Sequence, residues 1–351
     1  MRSFACHNCG QLLFFENSLC LRCGYRQGFV ASKLDLELTR PDDGPALPVC
    51  ANAALARCNW VVEDADPDGL CVSCRLTRTR PADSDPDGLE YLAVAETAKR
   101  RLIFQLLDLE LPIEDDLSFE LLSSRQKSVT TGHADGVITL DLAESDDVHR
   151  ERRRAELGEP YRTLLGHFRH EIGHYYWPIV VQRAGRVERY RELFGDERED
   201  YQEALEHHYA EGPPADWSKR HVSAYATMHP WEDWAETFSH YLHIRDTLET
   251  AAEYGIVVAG PDDAHDPSLV AAPGAEVVQG GSWRAIIRNW LPLTYALNQI
   301  NRSMGRDDLY PFTLAPVVVD KLAFVHTCVV GRSPGGDLLG SSPRTAPLVD
   351  E

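Results

Sequence analysis

His170, Glu171 and His174 are the residues whose types and spacing most directly allow chemistry, in the run His167-Phe-Arg-His-Glu-Ile-Gly-His174. Two histidines four apart project from one face of a helix and can reach a single zinc ion, and the intervening glutamate lies about a quarter-turn from the first. In that pattern the glutamate is not a ligand. It serves as a base toward water that the metal makes acidic near neutral pH. Such a pentapeptide arises by chance at about the few per cent level in a chain of this length with 14 histidines. A helical setting lowers that further.

A catalytic zinc with one open position needs a third protein ligand. The stretch His229-Pro-Trp-Glu-Asp-Trp-Ala-Glu-Thr-Phe238 offers Glu232 and Glu236, again four apart on one helix face. One of them can bind the metal while the other accepts the outer N–H of a ligating histidine, which fixes its tautomer and ring orientation. A solvated acidic helix is the plainer explanation of two such acids. Trp231, Trp234 and Phe238 flank them, however, and call for part of this helix to be buried. His167 reads as a packing residue or a hydrogen-bond partner near the site, and His240 and His243 as hydrogen-bonding within a helical core. His133 reads as a loop residue, with a place near substrate as the alternative.

A second chemistry is written in the cysteines, eight of the nine lying in the first 74 residues. Cys6-x-x-Cys9-Gly and Cys20-x-x-Cys23-Gly have the form of two zinc knuckles, each glycine permitting the turn that aims backbone N–H groups at thiolate sulfur. Cys50, Cys58, Cys71 and Cys74 contain one short pair and suggest a second four-cysteine site, with crossed ligation between the two sets left open by spacing. Such sites are closed and structural. Three zinc ions are expected in all, one catalytic and two structural. Cys328 stands alone in an apolar stretch and reads as a buried core thiol.

The elements that must position these residues give an α+β reading. Residues 1 to 80 form a cysteine-ligated zinc module whose short apolar runs need metal for stability. Pro81 to Gly88 reads as a linker and Leu89 to Leu109 as a connecting helix with a basic Lys99-Arg100-Arg101 turn. Residues 112 to 330 form the main domain. Within it, Ser118 to Leu122 and Gly136 to Leu142 read as strands, the latter at the sheet edge, and Val148 to Glu156 as a helix. Pro160 sits where an N1 proline would start the HEIGH helix, with Tyr161, Leu164, Leu165, Phe168 and Ile172 at three- and four-residue steps. Residues 178 to 222 read as acidic and largely helical, Pro230 to His243 as a helix, and Gly255 to Gly281 as a loop. Ser282 to Met304 and Leu314 to Val329 read as helices. The Gly/Ser/Pro-rich tail from 331 to 351 reads as disordered.

HEIGH followed much later by Glu232-Asp-Trp-Ala-Glu236-Thr-Phe238 resembles the gluzincin arrangement. That resemblance makes Glu232 the third ligand and Glu236 its partner around the metal. It also implies a role for Tyr225, seven residues before the ligand, as a hydroxyl that stabilises the transition state or protonates the leaving amine. The gap from His174 to Glu232 is longer than thermolysin-like spacing, so substrate-pocket detail does not transfer. Across nearly the whole chain, the order CHNCG, LCLRCG, CNW, HFRHEIGHYYW and HPWEDWAETFSHYLHI resembles the bacterial zinc-binding metallopeptidases with an N-terminal zinc-ribbon domain. The resemblance implies a zincin-like domain acting on a peptide or protein, with Gly136 to Leu142 as a rail for extended substrate.

Charge narrows the partners. The formal net charge is −20, which repels a phosphate backbone unless one face is locally basic. Arg75, Arg78, Arg80, Lys99, Arg100 and Arg101 form a basic run, yet residues 1 to 110 hold 12 Lys/Arg against 16 Asp/Glu. Recognition of a protein, or docking of the ribbons onto the main domain, is therefore favoured over nucleic acid. The first residues lack the charged and apolar regions of an export signal, and no membrane span is expected, which reads as cytoplasmic. Two rival functions share these features: a metal-stabilised binding scaffold with little turnover, and a protease that docks on nucleic acid.

Overall fold

The computed structural model describes residues 2–40, 44–124, 129–157, 163–261, 267–274, 277 and 281–331. Its N-terminal part is built from two antiparallel hairpins, β1 (Phe4–Ala5) with β2 (Leu12–Leu13) and β3 (Gln27–Val30) with β4 (Asp35–Leu38). Strands this short cannot make a core alone. Phe4, Phe15, Phe29 and Trp60 instead gather into one buried aromatic cluster, with the Phe29 and Trp60 ring centroids 4.6 Å apart.

That cluster is closed from outside by helix α1 (Pro86–Asp108), whose Phe104 ring lies 5.1 Å from Phe15 and 5.7 Å from Phe29. Asp85 caps α1 by accepting the Gly88 N–H at 2.9 Å, and Pro86 occupies its first turn. The connecting helix expected here is a core helix. Leu102, Ile103, Phe104 and Leu106 are buried, and so are two residues of its basic turn, Lys99 and Arg100. Lys99 pairs with Glu96 at 2.8 Å, and Arg100 donates to the Ala56 and Arg57 carbonyls at 3.0 and 3.2 Å. Each buried cation has found a partner inside, which periodicity alone cannot reveal.

A four-stranded sheet follows the order β5 (Thr77–Thr79), β6 (Ser118–Leu122), β8 (Val137–Asp141), β7 (Gly132–Ala134). β6 runs parallel to β5 and β8, and β7 pairs antiparallel with β8. Phe119, Leu121, Ile138 and Leu140 alternate inward and are fully buried. The strand expected at the edge is therefore an interior one. The edges are β5 and, beside β8, β7, whose three residues carry too short a pattern to be read as a strand.

The remaining described helices are α2 (Asp147–Leu157), α3 (Leu164–Tyr176), α4 (Val187–Phe194), α5 (Tyr201–Glu211), α6 (Pro230–Glu253), α7 (Trp283–Ser303) and α8 (Pro316–Val330). α3 starts at Leu164, where Thr163 accepts the Gly166 N–H at 3.0 Å. Pro160 and Tyr161, placed at its start by the sequence, lie outside the described residues. Leu164, Phe168 and Ile172 face inward as their spacing requires. Residues 178–222 are largely helical, as expected: a π-helical turn at Trp177–Gln182 continues α3, and loops then separate α4, α5 and the short turn Trp217–Lys219. Between Gly255 and Gly281 the described residues are mostly irregular, joined by a Val258–Ala271 bridge. The tail from 332 to 351 lies outside the described residues.

α3 and α6 pack face to face, and one close approach sets their separation. A Cβ on Gly173 would stand 3.0 Å from the Ala235 Cα and 3.2 Å from the Phe238 Cβ, so the helices approach this closely where residue 173 carries no side chain. Trp234 locks it by donating its indole N–H to the Gly173 carbonyl at 2.8 Å. Among the described residues no helix is long and apolar enough to cross a membrane.

Candidate metal centres

The eight N-terminal cysteine sulfurs fall into two groups, Cys6/Cys9/Cys20/Cys23 and Cys50/Cys58/Cys71/Cys74, the atoms of each within 4.8 Å of one another. A tetrahedral zinc with Zn–S bonds of about 2.3 Å holds its sulfurs about 3.8 Å apart, whereas a disulfide needs about 2.05 Å. Cys6–Cys23 and Cys9–Cys20 are separated by 3.6 Å and Cys58–Cys71 by 3.7 Å. Both groups fit a zinc ion, and neither borrows a cysteine from the other.

Local backbone prepares the sulfurs. Gly10 and Gly24 adopt φ of +70° and +77°, as the knuckle turns demand. The Tyr25 backbone N–H, with Asn8, pulls the Cys23 thiol down to about 6. In the second group the Cys71 N–H points at Cys50 Sγ at 3.4 Å, and the Cys74 N–H at Cys71 Sγ at 3.5 Å. The two groups differ in exposure: all four cysteines of the second are buried, while Cys9 and Cys23 of the first are only partly so.

The six basic residues of the 75 to 101 run are all engaged. Arg75 pairs with Asp64, Arg78 with Glu120, Arg80 with Asp83 and Arg101 with Glu16, while Lys99 and Arg100 turn inward as above.

The third group lies where α3 meets α6. His170, His174 and Glu232 offer ligand atoms within 4.8 Å of one another. Glu232 Oε2 is 2.9 Å from His170 Nε2 and 3.5 Å from His174 Nε2. A tetrahedral zinc with bonds of about 2.0–2.1 Å spaces its ligands about 3.3 Å apart, so these donors also fit. His170 turns its other nitrogen, Nδ1, to Glu236 Oε1 at 2.7 Å, and Ser223 donates to Glu236 Oε2 at 2.6 Å. Two carboxylates on one helix face thus take two places: one among the ligand atoms, the other behind the imidazole.

Electrostatics follow from burial and pairing. Burial alone would depress His170, but its contacts with Glu232 and Glu236 outweigh that and hold its pKa well above the usual range. Burial would raise both glutamates; His174 and His170 hold Glu232 well below the carboxylate range, and His170 brings Glu236 to about 2. Glu171 differs. It is buried, its Oε2 has no hydrogen-bond partner, and desolvation raises its pKa.

Two flat neighbours hold the His174 ring. Trp231 stacks on it at 5.1 Å and 14°, and His133 of β7 lies nearly parallel at 6.4 Å and 19°. His133 therefore belongs to the site's surroundings and to a strand. Burial, then His174, lowers its pKa to about 4. Tyr225 occupies a short turn with its ring 6.1 Å from that of His170, and burial raises its phenol pKa strongly. His167 lies 3.9 Å from Glu144, His240 bonds Tyr310 at 2.7 Å, and His243 stacks on Tyr310 at 5.4 Å; Cys328 is buried.

Sequence reasoning missed Ser223 and Tyr201. The Tyr201 hydroxyl donates to Glu232 Oε1 at 3.0 Å. No spacing could have announced it, since it stands 31 residues before Glu232 at the start of a helix with no buried residues.

Residues 89–328 match the family model described as "putative zinc-binding metallo-peptidase", and residues 3–85 match a zinc-ribbon domain. Proteins described as uncharacterized from Mycobacterium bovis and from two strains of Mycobacterium tuberculosis are 52% identical to this chain over 342 residues. The alignments cover 95% of this chain and 97% of theirs. No solved structure matches it.

Proposed function

The chain belongs to the family of zinc-binding metallopeptidases whose model it matches, and on that premise we propose that it hydrolyses peptide bonds at the centre formed by α3 and α6. The observation that carries this reading is Glu171: a buried carboxylate with an unpartnered oxygen, next in sequence to one of three ligand residues. A purely structural metal site has no use for such a group.

His170, His174 and Glu232 would hold the ion, and Glu236 would fix the His170 ring through Nδ1. Zinc bound there supplies Lewis acidity and a water that ionises near neutral pH. Glu171 takes the proton of the attacking water and delivers it to the leaving amine. Its raised pKa suits that exchange, because a base works best when its pKa lies near the working pH. Tyr225, kept protonated by burial, supplies a hydroxyl to the developing oxyanion or the leaving group. The strand β7, which among the described strands pairs only with β8, replaces Gly136 to Leu142 as the rail for an extended peptide.

The ribbons serve this centre through α1, with which they share the Phe15/Phe29/Phe104 cluster. Their zinc ions would hold the outer face of the helix whose inner face supports α3.

The test is Glu171→Gln. The substitution keeps the side chain's size and removes the carboxylate, so the third zinc should stay while cleavage of a broad peptide library falls by about 10² to 10⁴ or more. Equal cleavage by both proteins, or loss of zinc with the variant, overturns the mechanism.

A further inference from the structure

Glu232 presents its two oxygens to different neighbours. Oε2 faces the Nε2 atoms of His170 and His174 at 2.9 and 3.5 Å, and Oε1 accepts the Tyr201 hydroxyl at 3.0 Å. We propose that Tyr201 is a positioning residue for the metal: by occupying Oε1 it leaves Oε2 as the single carboxylate oxygen offered to the ion. This rests on reading Glu232 as the third ligand.

The consequence is geometric. A carboxylate with both oxygens free can swing to grip a cation with the pair, taking space that a hydrolytic centre must keep open for water. A donor on one oxygen prevents that, and hydrogen bonds behind a ligand of this kind set its orientation and basicity.

The placement of Tyr201 is built. Its ring lies 5.4 Å from that of His229, the residue that caps α6 by accepting the Trp231 N–H, and the other His229 nitrogen bonds the Glu199 carbonyl at 3.1 Å. Asp200 caps α5 immediately before it, accepting the Glu203 N–H at 3.0 Å. α5 buries none of its residues, so apolar packing does not account for where it starts. Ser223, beyond the far end of α5, holds Glu236 in the same way. The stretch from 201 to 223 therefore touches α6 at both ends through carboxylates of the metal centre.

The experiment compares Tyr201→Phe, Tyr201→Ala and Glu232→Gln in the full chain by zinc release to a competing chelator, with the cysteine-bound zinc as internal reference. Tyr201→Phe should weaken the third site by about 10- to 100-fold, leave the reference unchanged, and match Tyr201→Ala. If Tyr201→Phe holds the third zinc like the wild type, the hydroxyl is not the positioning group and the proposal falls; loss with Tyr201→Ala alone would assign the effect to ring packing on His229. Glu232→Gln separates the two levels. If it keeps the third zinc at wild-type affinity, the ligand assignment itself fails, whereas its loss with Tyr201→Phe unaffected overturns only the role of Tyr201.

Discussion

The cysteine groups and the histidine–glutamate group fit the same metal by opposite routes. Each cysteine group offers four candidate ligands from one short stretch of chain, enough to close a tetrahedral site, and in the second group backbone N–H groups point at sulfur. The third group offers three candidate ligands from two helices, with Glu232 62 positions after His170. Its orientation depends on Glu236, Ser223, Tyr201 and Trp231, none of them among its three ligand atoms. A closed site stabilises the chain around it; an open one has to be stabilised by its surroundings. The difference predicts that damage to the first kind spreads outward as unfolding, and damage to the second stays local and appears as lost affinity or rate.

The largest effect should follow from breaking the second cysteine group. Cys58→Ser with Cys71→Ser leaves the neighbouring loop without its metal, and that loop supplies Trp60 to the aromatic cluster and the carbonyls that satisfy the buried Arg100. An uncompensated buried cation costs about 3–5 kcal/mol beyond the lost zinc. The expected result is loss of cooperative unfolding, read by calorimetry with zinc content measured alongside. Should the third zinc and a sharp transition both survive, the ribbons are an appended module and the comparison fails. Replacing the partly buried Cys9 and Cys23 should do less harm, because the Phe15 to Phe104 contact can persist without them.

A smaller and local effect should separate the two acids of α6. Glu232→Gln removes a ligand oxygen and should empty the third site, while Glu236→Gln loses only the acceptor behind His170 and should weaken binding by about 10- to 100-fold. Both variants should unfold like the wild type in the ribbon region. The reverse ranking, measured by chelator competition, exchanges the two roles.

The same contrast explains what could be read from sequence. The cysteine knuckles are local, so spacing alone located them, and crossed ligation stayed open only because spacing says nothing about where two loops meet. The HEIGH helix and its inward Phe168 and Ile172 were legible from periodicity. Gly173 and Ala235 also stood in plain view, but their meaning, a close helix contact, needs both helices at once. Lys99 and Arg100 misled for a physical reason: charge in a periodic pattern normally marks the solvent face, and here Glu96 and two carbonyls satisfy the cations inside. β7 was too short to register, which moved the edge to β8. Tyr201 was invisible because its role comes from where a surface helix begins.

The smallest expected effect concerns pH and distinguishes the surroundings of the two kinds of site. Burial lowers His240 to about 4, with Glu236 pulling the other way and His170 adding to the depression. Its neutral ring bonds Tyr310 at 2.7 Å. In the unfolded chain this histidine titrates near about 6.5. Between the two values the unfolded state binds a proton that the folded state refuses, so the stability contributed by neutral His240 is complete above pH ~6.5 and is lost as pH falls toward ~4. One such group accounts for at most about 1.4 kcal/mol per pH unit. His240→Gln removes a titrating group while keeping an amide that can still meet the Tyr310 hydroxyl. The slope of unfolding free energy against pH should therefore flatten by up to that amount in this window, with the acid-induced loss of cysteine-bound zinc unchanged. An identical slope in both proteins would mean that His240 takes up its proton as readily folded as unfolded, and that the core behind Glu236 is not the dry, neutral support that an open metal centre on α3 and α6 requires.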